Sequence, residues 1–238
     1  MIIIDTDYKM KNSKKLLFTI GLIIGVIFIS CKKETEKVKK IETSRVESLP
    51  FYEEATFTPK WIKPGSKELE SFHKIPDFKL INQLGDTITN ETFKNKIYIT
   101  DFFFTTCSGI CPKMTTNMIK LQEAFKEDNN IMLLSHSVTP KFDKVPVLRE
   151  YANNKGVNVT KWHLVTGDRE HIYNLGRNSY FVEEDLGKEK KPEDFLHTEN
   201  FVLIDQDRHI RGIYNGIHNA SVRQLITDVK ELKKELKN

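Results

Sequence analysis

The sequence predicts an α/β fold in which helices cover a central mixed sheet, and three observations lead to this prediction. Short runs rich in β-branched and aromatic residues alternate with segments whose apolar residues recur at helical spacing. The last two such runs form a hairpin pattern and are followed by an amphipathic segment. The chain of 238 residues is 39% hydrophobic and 29% charged, which suits one packed domain with extensions.

The first elements of the domain follow from local patterns. "DFKLINQLGDTIT" contains two short strand-like pieces around a turn at 84–86, which predicts a hairpin. "KIYITDFFF" is long and apolar enough for a buried central strand. "PKMTTNMIKLQEAFKE" places apolar residues at helical spacing, and Pro112 suits the first helical position because its missing N–H costs nothing there.

The later elements continue the alternation. "NIMLLSHSV" and "KWHLVTG" predict two further strands, separated by a short helix that ends at Gly156. "DREHIYNLGRNS" predicts a helix with Asp168 as its N-cap. "NFVLIDQDRHIRGIYNG" predicts the final hairpin, and "SVRQLITDVKELKKEL" a terminal helix capped by Ser221. This order matches a thioredoxin-like fold with an N-terminal extension and an insertion before the last hairpin.

Residues 1–31 are predicted to be a targeting signal and lipoprotein anchor. "MKNSKK" is basic, and the apolar run of 15 residues that ends before Cys31 is shorter than the roughly 20 residues that span a bilayer. "FISC" resembles a bacterial lipobox, in which the signal is cleaved before a cysteine that receives lipid, with Phe28 in place of the usual leucine. The alternative is an uncleaved signal anchor with an incidental Cys31.

The chain beyond the signal divides into two predicted parts. Residues 32–70 comprise a charged tether and an aromatic-rich segment, "LPFYEEATFTPKWI", which we expect to pack on the domain as an extended segment. Residues 71–238 form the thioredoxin-like domain. Lipidation at Cys31 would place that domain outside the cytoplasm, on the periplasmic face of the cell envelope, where thiols tend to oxidise. A net charge of +4, without basic-aromatic interleaving, gives no support to a nucleic-acid partner, and none is expected.

Two cysteines in "FFFTTCSGICPKM" are the strongest candidates for function. Cys107 and Cys111 lie four positions apart, between the predicted central strand and the helix. Cys111 comes next to the helix start, where free N–H groups favour a thiolate, the form that both nucleophiles and metal ligands require. A redox pair, a metal site and a structural disulfide are the three alternatives, and a bridge closing so small a loop would stabilise the fold little.

His197 is the histidine best placed to complete a site. It lies in "FLHTENFVLID", just before a core strand, and in a thioredoxin-like sheet that loop faces the cysteine loop. His136 and His163 lie in predicted strands and are expected to be packing residues. The remaining histidines have no such location: His73, His171, His209 and His218.

These segments together resemble the Sco/SenC family, the copper-binding assembly factors of cytochrome c oxidase. "TTCSGICPKM" resembles the CxxxCP motif of the family, "LHTENFVLID" its third-ligand segment, and "KWHLVTGDREHIYNLGRNSYFV" its Trp-x-x-x-Thr-Gly region. The resemblance covers about residues 70 to 230. It implies a thioredoxin-like fold and copper, as Cu(I) or Cu(II), bound by Cys107, Cys111 and His197.

The resemblance also assigns a supporting role and has one departure. "TPKFD" stands where the family often has Asp-Pro-x-x-Asp, so that Thr139 replaces the first aspartate and Asp143 matches the second. Asp143 is expected to support the site without being a ligand. Soft thiolates with imidazole suit copper better than magnesium or calcium, and structural zinc usually takes four protein ligands.

Three functions are weighed. The first is delivery of copper to the dinuclear (CuA) centre of cytochrome c oxidase subunit II. The second is a thiol–disulfide oxidoreductase of extracytoplasmic proteins, in which Cys107 and Cys111 are the redox pair. The third, a peroxiredoxin, lacks its Pro-x-x-x-Thr-x-x-Cys pattern here. Whether the protein is an enzyme therefore stays open at this stage.

Overall fold

The computed structural model describes residues 46, 48–184, 187, 191 and 193–236. Cys31, the predicted signal and most of the tether lie outside the described residues. Within the described ranges, no helix combines the length and apolar character that crossing a bilayer requires. The predicted boundaries at residues 31 and 70 stay predictions.

Seven strands in the described residues form one mixed sheet. They are β1 (Lys79–Asn82), β2 (Thr87–Thr89), β3 (Ile97–Phe103), β4 (Ile131–Ser137), β5 (Trp162–Thr166), β6 (Asn200–Ile204) and β7 (Ile210–Asn215). Their order across the sheet is β2-β1-β5-β4-β3-β6-β7. β3 is fully buried and lies between β4, which runs parallel to it, and β6, which runs antiparallel. The predicted α/β fold with a central mixed sheet is confirmed.

The described helices cover this sheet. They are α1 (Cys111–Ala124), α2 (Val145–Lys155), α3 (Arg169–Asn174) and α4 (Asn219–Glu235), and a π-helical turn (Leu175–Ser179) continues α3. Gly156 ends α2 with φ 72°, and the Asp168 side chain accepts the His171 N–H at 2.8 Å, so both predicted caps are confirmed.

One predicted cap is wrong. α4 begins at Asn219, two residues before Ser221, and its N-cap is the extended His218. A tertiary contact fixes the preceding turn, because the Asn117 amide donates to the Gly216 carbonyl at 2.6 Å. α1 likewise begins one residue before Pro112, so that Cys111 is its first residue.

Alternation along β3 builds a core on each face of the sheet. Ile99 and Phe103 pack in one cluster with side chains of α1, α2 and α4, while Tyr98 and Phe102 pack in the other with those of α3. Because successive strand residues point to opposite faces, one buried strand anchors both layers. Cys111 belongs to the first cluster, so the thiol site is attached directly to the core.

The aromatic-rich N-terminal segment packs on the domain, as predicted. Phe51 and Lys60 exchange backbone hydrogen bonds of 2.8 and 2.9 Å, and Phe51 is buried. The Arg211 guanidinium donates to the Leu49 carbonyl at 2.7 Å. Trp61 differs from the other aromatic residues of this segment, because 61% of it is exposed.

Candidate thiol and metal site

Three loops lie at the same end of the central strands: residues 104–110, 138–144 and 193–199. We call these three loops together the thiol edge. β3 and β4 are parallel, so both of their carboxyl ends lie there. β6 runs antiparallel to β3, with Thr100 opposite Val202, so the amino end of β6 lies there too. The topology therefore places the segments of Cys107, Asp143 and His197 on adjacent loops.

The structure brings Cys107 and Cys111 into contact. Both are free thiols; Cys107 is half-buried, and Cys111 is buried as the first residue of α1. The Cys111 thiol lies near enough to the Cys107 sulfur for each to shift the pKa of the other. The Cys107 N–H donates to the Phe104 carbonyl at 3.3 Å, which closes the turn between β3 and the thiols.

Hydrogen bonding separates the pKa values of the two thiols. Burial raises the pKa of Cys107, but the Cys111 thiol and the N–H groups of residues 109–111 donate to its sulfur and hold the pKa below its usual value. Burial, followed by the hydrogen bond to Cys107, raises the pKa of Cys111 to about 12. The N–H groups at the helix start therefore lower the pKa of one thiol, as expected, but that thiol is Cys107 and not the adjacent Cys111.

Gly109 lies beside the Cys107 sulfur at ordinary contact distance. A Cβ atom at residue 109 would lie 3.8 Å from the Cys107 sulfur. The exposed loop around it leaves that sulfur accessible, whereas Cys111 is enclosed by the core. This arrangement suits Cys107 as an attacking thiolate and Cys111 as the resolving thiol. It equally suits the two sulfurs as soft ligands on one side of a cation.

Asp143 is fully buried and fastens the loop after β4 to the cysteine loop. It accepts hydrogen bonds from the Thr105 N–H at 3.2 Å and from Thr105 Oγ1 at 2.5 Å. The hydroxyls of Ser137 and Thr139 donate to its Oδ2 atom at 2.6 and 3.0 Å. Four donors thus surround the carboxylate, and Thr139, which departs from the family pattern, is one of them.

His197 is exposed on the loop before β6. The backbone N–H of His197 donates to Glu183 Oε1 at 3.2 Å. Arg177 Nε forms an ion pair with the other oxygen of Glu183, Oε2, at 3.0 Å. The next residue, Thr198, is buried and donates to the Val182 carbonyl at 2.5 Å. The backbone around His197 is therefore fixed from both sides while the imidazole faces solvent.

A ring contact joins the cysteine loop to the histidine loop. Phe104 and Phe195 meet edge to face with ring centroids 5.4 Å apart. Phe104 is three residues before Cys107, and Phe195 is two residues before His197.

The described residues do not include an assembled three-ligand site. Within them, no group of three or more His, Cys, Asp or Glu side chains is arranged to hold a metal ion. The two thiols fit a soft cation by chemistry and by contact, whereas His197 stands apart from them and the Asp143 oxygens already accept four donors. The predicted ligand set thus divides into a preformed pair and a third residue on the facing loop.

Sequence reasoning missed the residues that position these loops. Thr105 lies in the quoted motif, but nothing local reveals its partner 38 residues away. Arg177 lies in the π-helical turn and Glu183 at the start of the polar insertion, where charged residues usually face solvent. Only their position on either side of a buried Val182 distinguishes them from surface charges.

A protein-family model matches most of the chain. The model described as SCO1/SenC matches residues 66–234. The chain belongs to the SCO1/SenC family. The SCO1 protein homolog of Bacillus subtilis (strain 168) is 31% identical over 161 residues, which cover 66% of this chain and 82% of that protein.

Solved structures of Sco proteins have the same fold. A SCO1/SenC family lipoprotein from Bacillus anthracis is 32% identical with a TM-score of 0.60, covering 68% of this chain and 95% of that one. BsSco, described with a disulfide switch and as a member of the Sco family of cytochrome c oxidase assembly proteins, is 30% identical with a TM-score of 0.57 over 67% and 93%. Copper-bound ScoI of Arabidopsis thaliana, 24% identical with a TM-score of 0.52 over 67% and 98%, shares the fold.

Proposed function

We propose that this Sco protein binds copper through Cys107, Cys111 and His197 and delivers it to the CuA centre of cytochrome c oxidase subunit II. The observation that carries the proposal is the contact between two free thiols, of which Cys107 has a lowered pKa. Copper is the cargo of this reaction. Thiolates are soft ligands that suit Cu(I), and a neutral imidazole adds the nitrogen that Cu(II) prefers.

His197 would join the thiols from the facing loop. The sheet topology brings its loop to the thiol edge, and the Phe104–Phe195 contact keeps the two loops together. Copper in the related ScoI structure and the oxidase-assembly role of BsSco support this reading. Asp143 would hold the cysteine loop in place without touching the metal.

The proposal includes a membrane anchor. Lipid on Cys31 would tether the domain to the extracytoplasmic face of the membrane, where the CuA domain would be its partner. The description of the Bacillus anthracis relative as a lipoprotein supports this. The charged stretch from residue 32 to 48 would supply the reach between membrane and domain.

A second candidate function is reduction of the cysteines of the CuA site, and the separation of the two thiol pKa values favours it. The Cys107 thiolate would attack a sulfur of the target disulfide, which breaks and releases one target thiolate. Cys111 would then lose its proton and attack the mixed disulfide, which releases the second target thiol. The target gains two electrons, and Cys107 and Cys111 become a disulfide.

Anaerobic metal titration of the reduced full-length protein in detergent tests the copper proposal. We expect one copper per chain, with His197→Ala weakening Cu(II) binding most, because two thiolates alone still hold Cu(I). Cys107→Ser and Cys111→Ser are expected to impair both oxidation states. His171→Ala, which alters a histidine on α3, is the control. Absence of copper binding by the wild-type protein would reject the proposal.

Oxidase activity in cells that lack the native protein separates the two candidates. If copper delivery is the function, the His197→Ala strain should lose oxidase activity and recover part of it with added copper. If thiol reduction is the function, His197→Ala should be active while both cysteine variants are inactive.

A further inference from the structure

The thiol edge exposes two phenylalanine side chains, one on each side of the cysteine loop. Phe142 is 74% exposed and lies in the loop after β4, beside the buried Asp143 that holds Thr105. Phe195 is 47% exposed and lies in the loop before β6. Since β3 lies between β4 and β6, the loops that carry Phe142 and Phe195 lie on either side of the loop that carries Cys107. Large exposed aromatic side chains are a common mark of protein-binding surfaces.

The fold holds the backbone of Phe142 and the ring of Phe195. The Phe142 N–H donates to the Thr139 carbonyl at 2.9 Å, and its own carbonyl accepts the Lys144 N–H at 2.8 Å. Phe195 packs edge to face on Phe104. An exposed aromatic side chain has only two rotatable bonds to fix on binding, so on a backbone that is already fixed it is a good anchor for a partner.

Charge differs between the two sides of the cysteine loop. The exposed charged residues of segments 104–116 and 138–147 are three lysines: Lys113, Lys141 and Lys144. The opposite loop carries the exposed acids Glu193 and Asp194 directly before Phe195. A ligand across Cys107 would therefore meet positive charge beside Phe142 and negative charge beside Phe195.

We propose that Phe142 and Phe195 form a docking surface for the thiol-bearing segment of a partner protein. This proposal rests on the proposed function, which requires a partner sulfur to reach Cys107. The segment that fits is extended, with apolar residues on both sides of its cysteine. It carries an acidic residue at the end that meets the lysines and a basic residue at the end that meets the acids.

Thiol–disulfide exchange with labelled peptides measures this docking directly. One peptide has a cysteine between Phe and Leu, with Glu and Lys at its ends, and a matched peptide has Ser in place of Phe and Leu. Each cysteine carries thionitrobenzoate as a mixed disulfide. The Cys107 thiolate attacks the peptide sulfur, the S–S bond breaks, and thionitrobenzoate leaves with the electron pair as a coloured anion.

The reduced full-length protein is expected to react about tenfold faster with the apolar peptide than with the serine peptide. Phe142→Ser and Phe195→Ser should each remove most of this preference. Both variants should react at the wild-type rate with free dithionitrobenzoate, which needs no docking. Leu84→Ser is the matched control, because Leu84 is 44% exposed in the β1–β2 turn.

Several results would overturn the docking proposal. One is an equal rate of the wild-type protein with the two peptides. Another is a phenylalanine variant that keeps the full preference for the apolar peptide. A third is a variant that reacts more slowly with the apolar peptide and with dithionitrobenzoate by the same factor. A wild-type dimer that either variant dissociates in analytical ultracentrifugation would assign the surface to a second copy of the chain. Failure of copper binding with the peptide preference intact would reject the copper function and leave the surface standing.

Discussion

Asp143 and Thr105 join two loops of the thiol edge through two hydrogen bonds. The Asp143 carboxylate accepts both the N–H and the hydroxyl of Thr105, at 3.2 and 2.5 Å. Because Thr105 is two residues before Cys107, the buried carboxylate sets the course of the chain into the thiols. Ser137 and Thr139 complete its shell of donors, so an aspartate that lacks contact with the thiols still governs their position.

Asp143→Asn should destabilise the protein without abolishing copper binding. An asparagine keeps one acceptor oxygen but turns an NH₂ group toward hydroxyl and N–H donors, which leaves buried groups unpaired. We expect a loss of about 2 kcal/mol in the free energy of unfolding, measured with urea. Copper affinity should fall by less than about tenfold. Asp207→Asn, at an exposed position, is the control, and complete loss of copper binding would show that Asp143 is a ligand.

Two buried groups on adjacent strands should give the protein an unusual pH dependence. Burial raises the pKa of Asp101 from 3.8 to about 7, although the Ser135 hydroxyl donates to it. Burial lowers the pKa of His136 from 6.5 to about 3. Neutral Asp101 makes the folded state lose stability as pH rises from about 4 to about 7. Neutral His136 makes it gain stability as pH rises from about 3 to about 6.5, so the two effects oppose each other.

Asp101→Asn should reveal the effect of His136 alone. The variant cannot ionise at residue 101, and its amide oxygen can still accept the Ser135 hydroxyl. Relative to wild type, we expect it to gain on the order of 3 kcal/mol in unfolding free energy between about pH 4 and about pH 8. Urea unfolding of both proteins across that range measures the difference. A difference that does not vary with pH would contradict the raised pKa.

Much of the fold is visible in the sequence because its determinants are local. The run at β3 needs only its own β-branched and aromatic residues to be recognised as a buried strand. Gly156 and Asp168 end and begin helices through their own conformational and hydrogen-bonding preferences. The thiol pair is predictable for the same reason, because both cysteines of the CxxxCP motif lie within five residues of sequence.

What escaped prediction depends on contacts across the fold. Ser221 has the side chain of a cap, but the turn held by Asn117 starts α4 earlier. Cys111 is next to a helix start, but burial in the core raises its pKa and the free N–H groups point to Cys107. In each case the local preference is real, and a tertiary contact overrides it.

The two thiols should differ strongly in reactivity. Since the pKa of Cys107 is lowered and that of Cys111 is raised to about 12, iodoacetamide should modify Cys107 first at neutral pH. Cys111→Ala removes a donor to the Cys107 sulfur and should shift the Cys107 alkylation profile to higher pH. Mass spectrometry of digested samples taken across pH measures both. Equal labelling of the two cysteines would contradict the proposed separation of roles.

Cys31→Ser should prevent lipid attachment and leave the precursor uncleaved. The prediction rests on "FISC" and on the short apolar run before it. Metabolic labelling with a fatty acid, together with the mass of the protein recovered from membranes, measures both events. The purified variant should bind copper like wild type, because residue 31 is remote in sequence from the thiols. Normal processing of the variant would reject the lipoprotein interpretation.

Arg177 should control the loop of His197 without touching the thiols. Its guanidinium holds Glu183 at 3.0 Å and donates to the carbonyls of Lys191 and Asp194 at 3.1 and 2.7 Å. Glu183 in turn accepts the His197 N–H. Since the Arg177 and Glu183 side chains are only 15% and 9% exposed, solvent competes weakly with this pairing.

Arg177→Leu should therefore release the histidine loop. If His197 is a copper ligand, Cu(II) affinity should fall about tenfold, as for loss of a group that orients a ligand. Cu(I) affinity and the alkylation of Cys107 should stay unchanged, because the thiols keep their own contacts. Limited digestion with a glutamate-specific protease should cleave faster after the exposed Glu193. Arg223→Leu, at an exposed position on α4, is the control. Equal loss of Cu(I) and Cu(II) affinity, with lower stability, would show that Arg177 supports the whole domain instead of the loop.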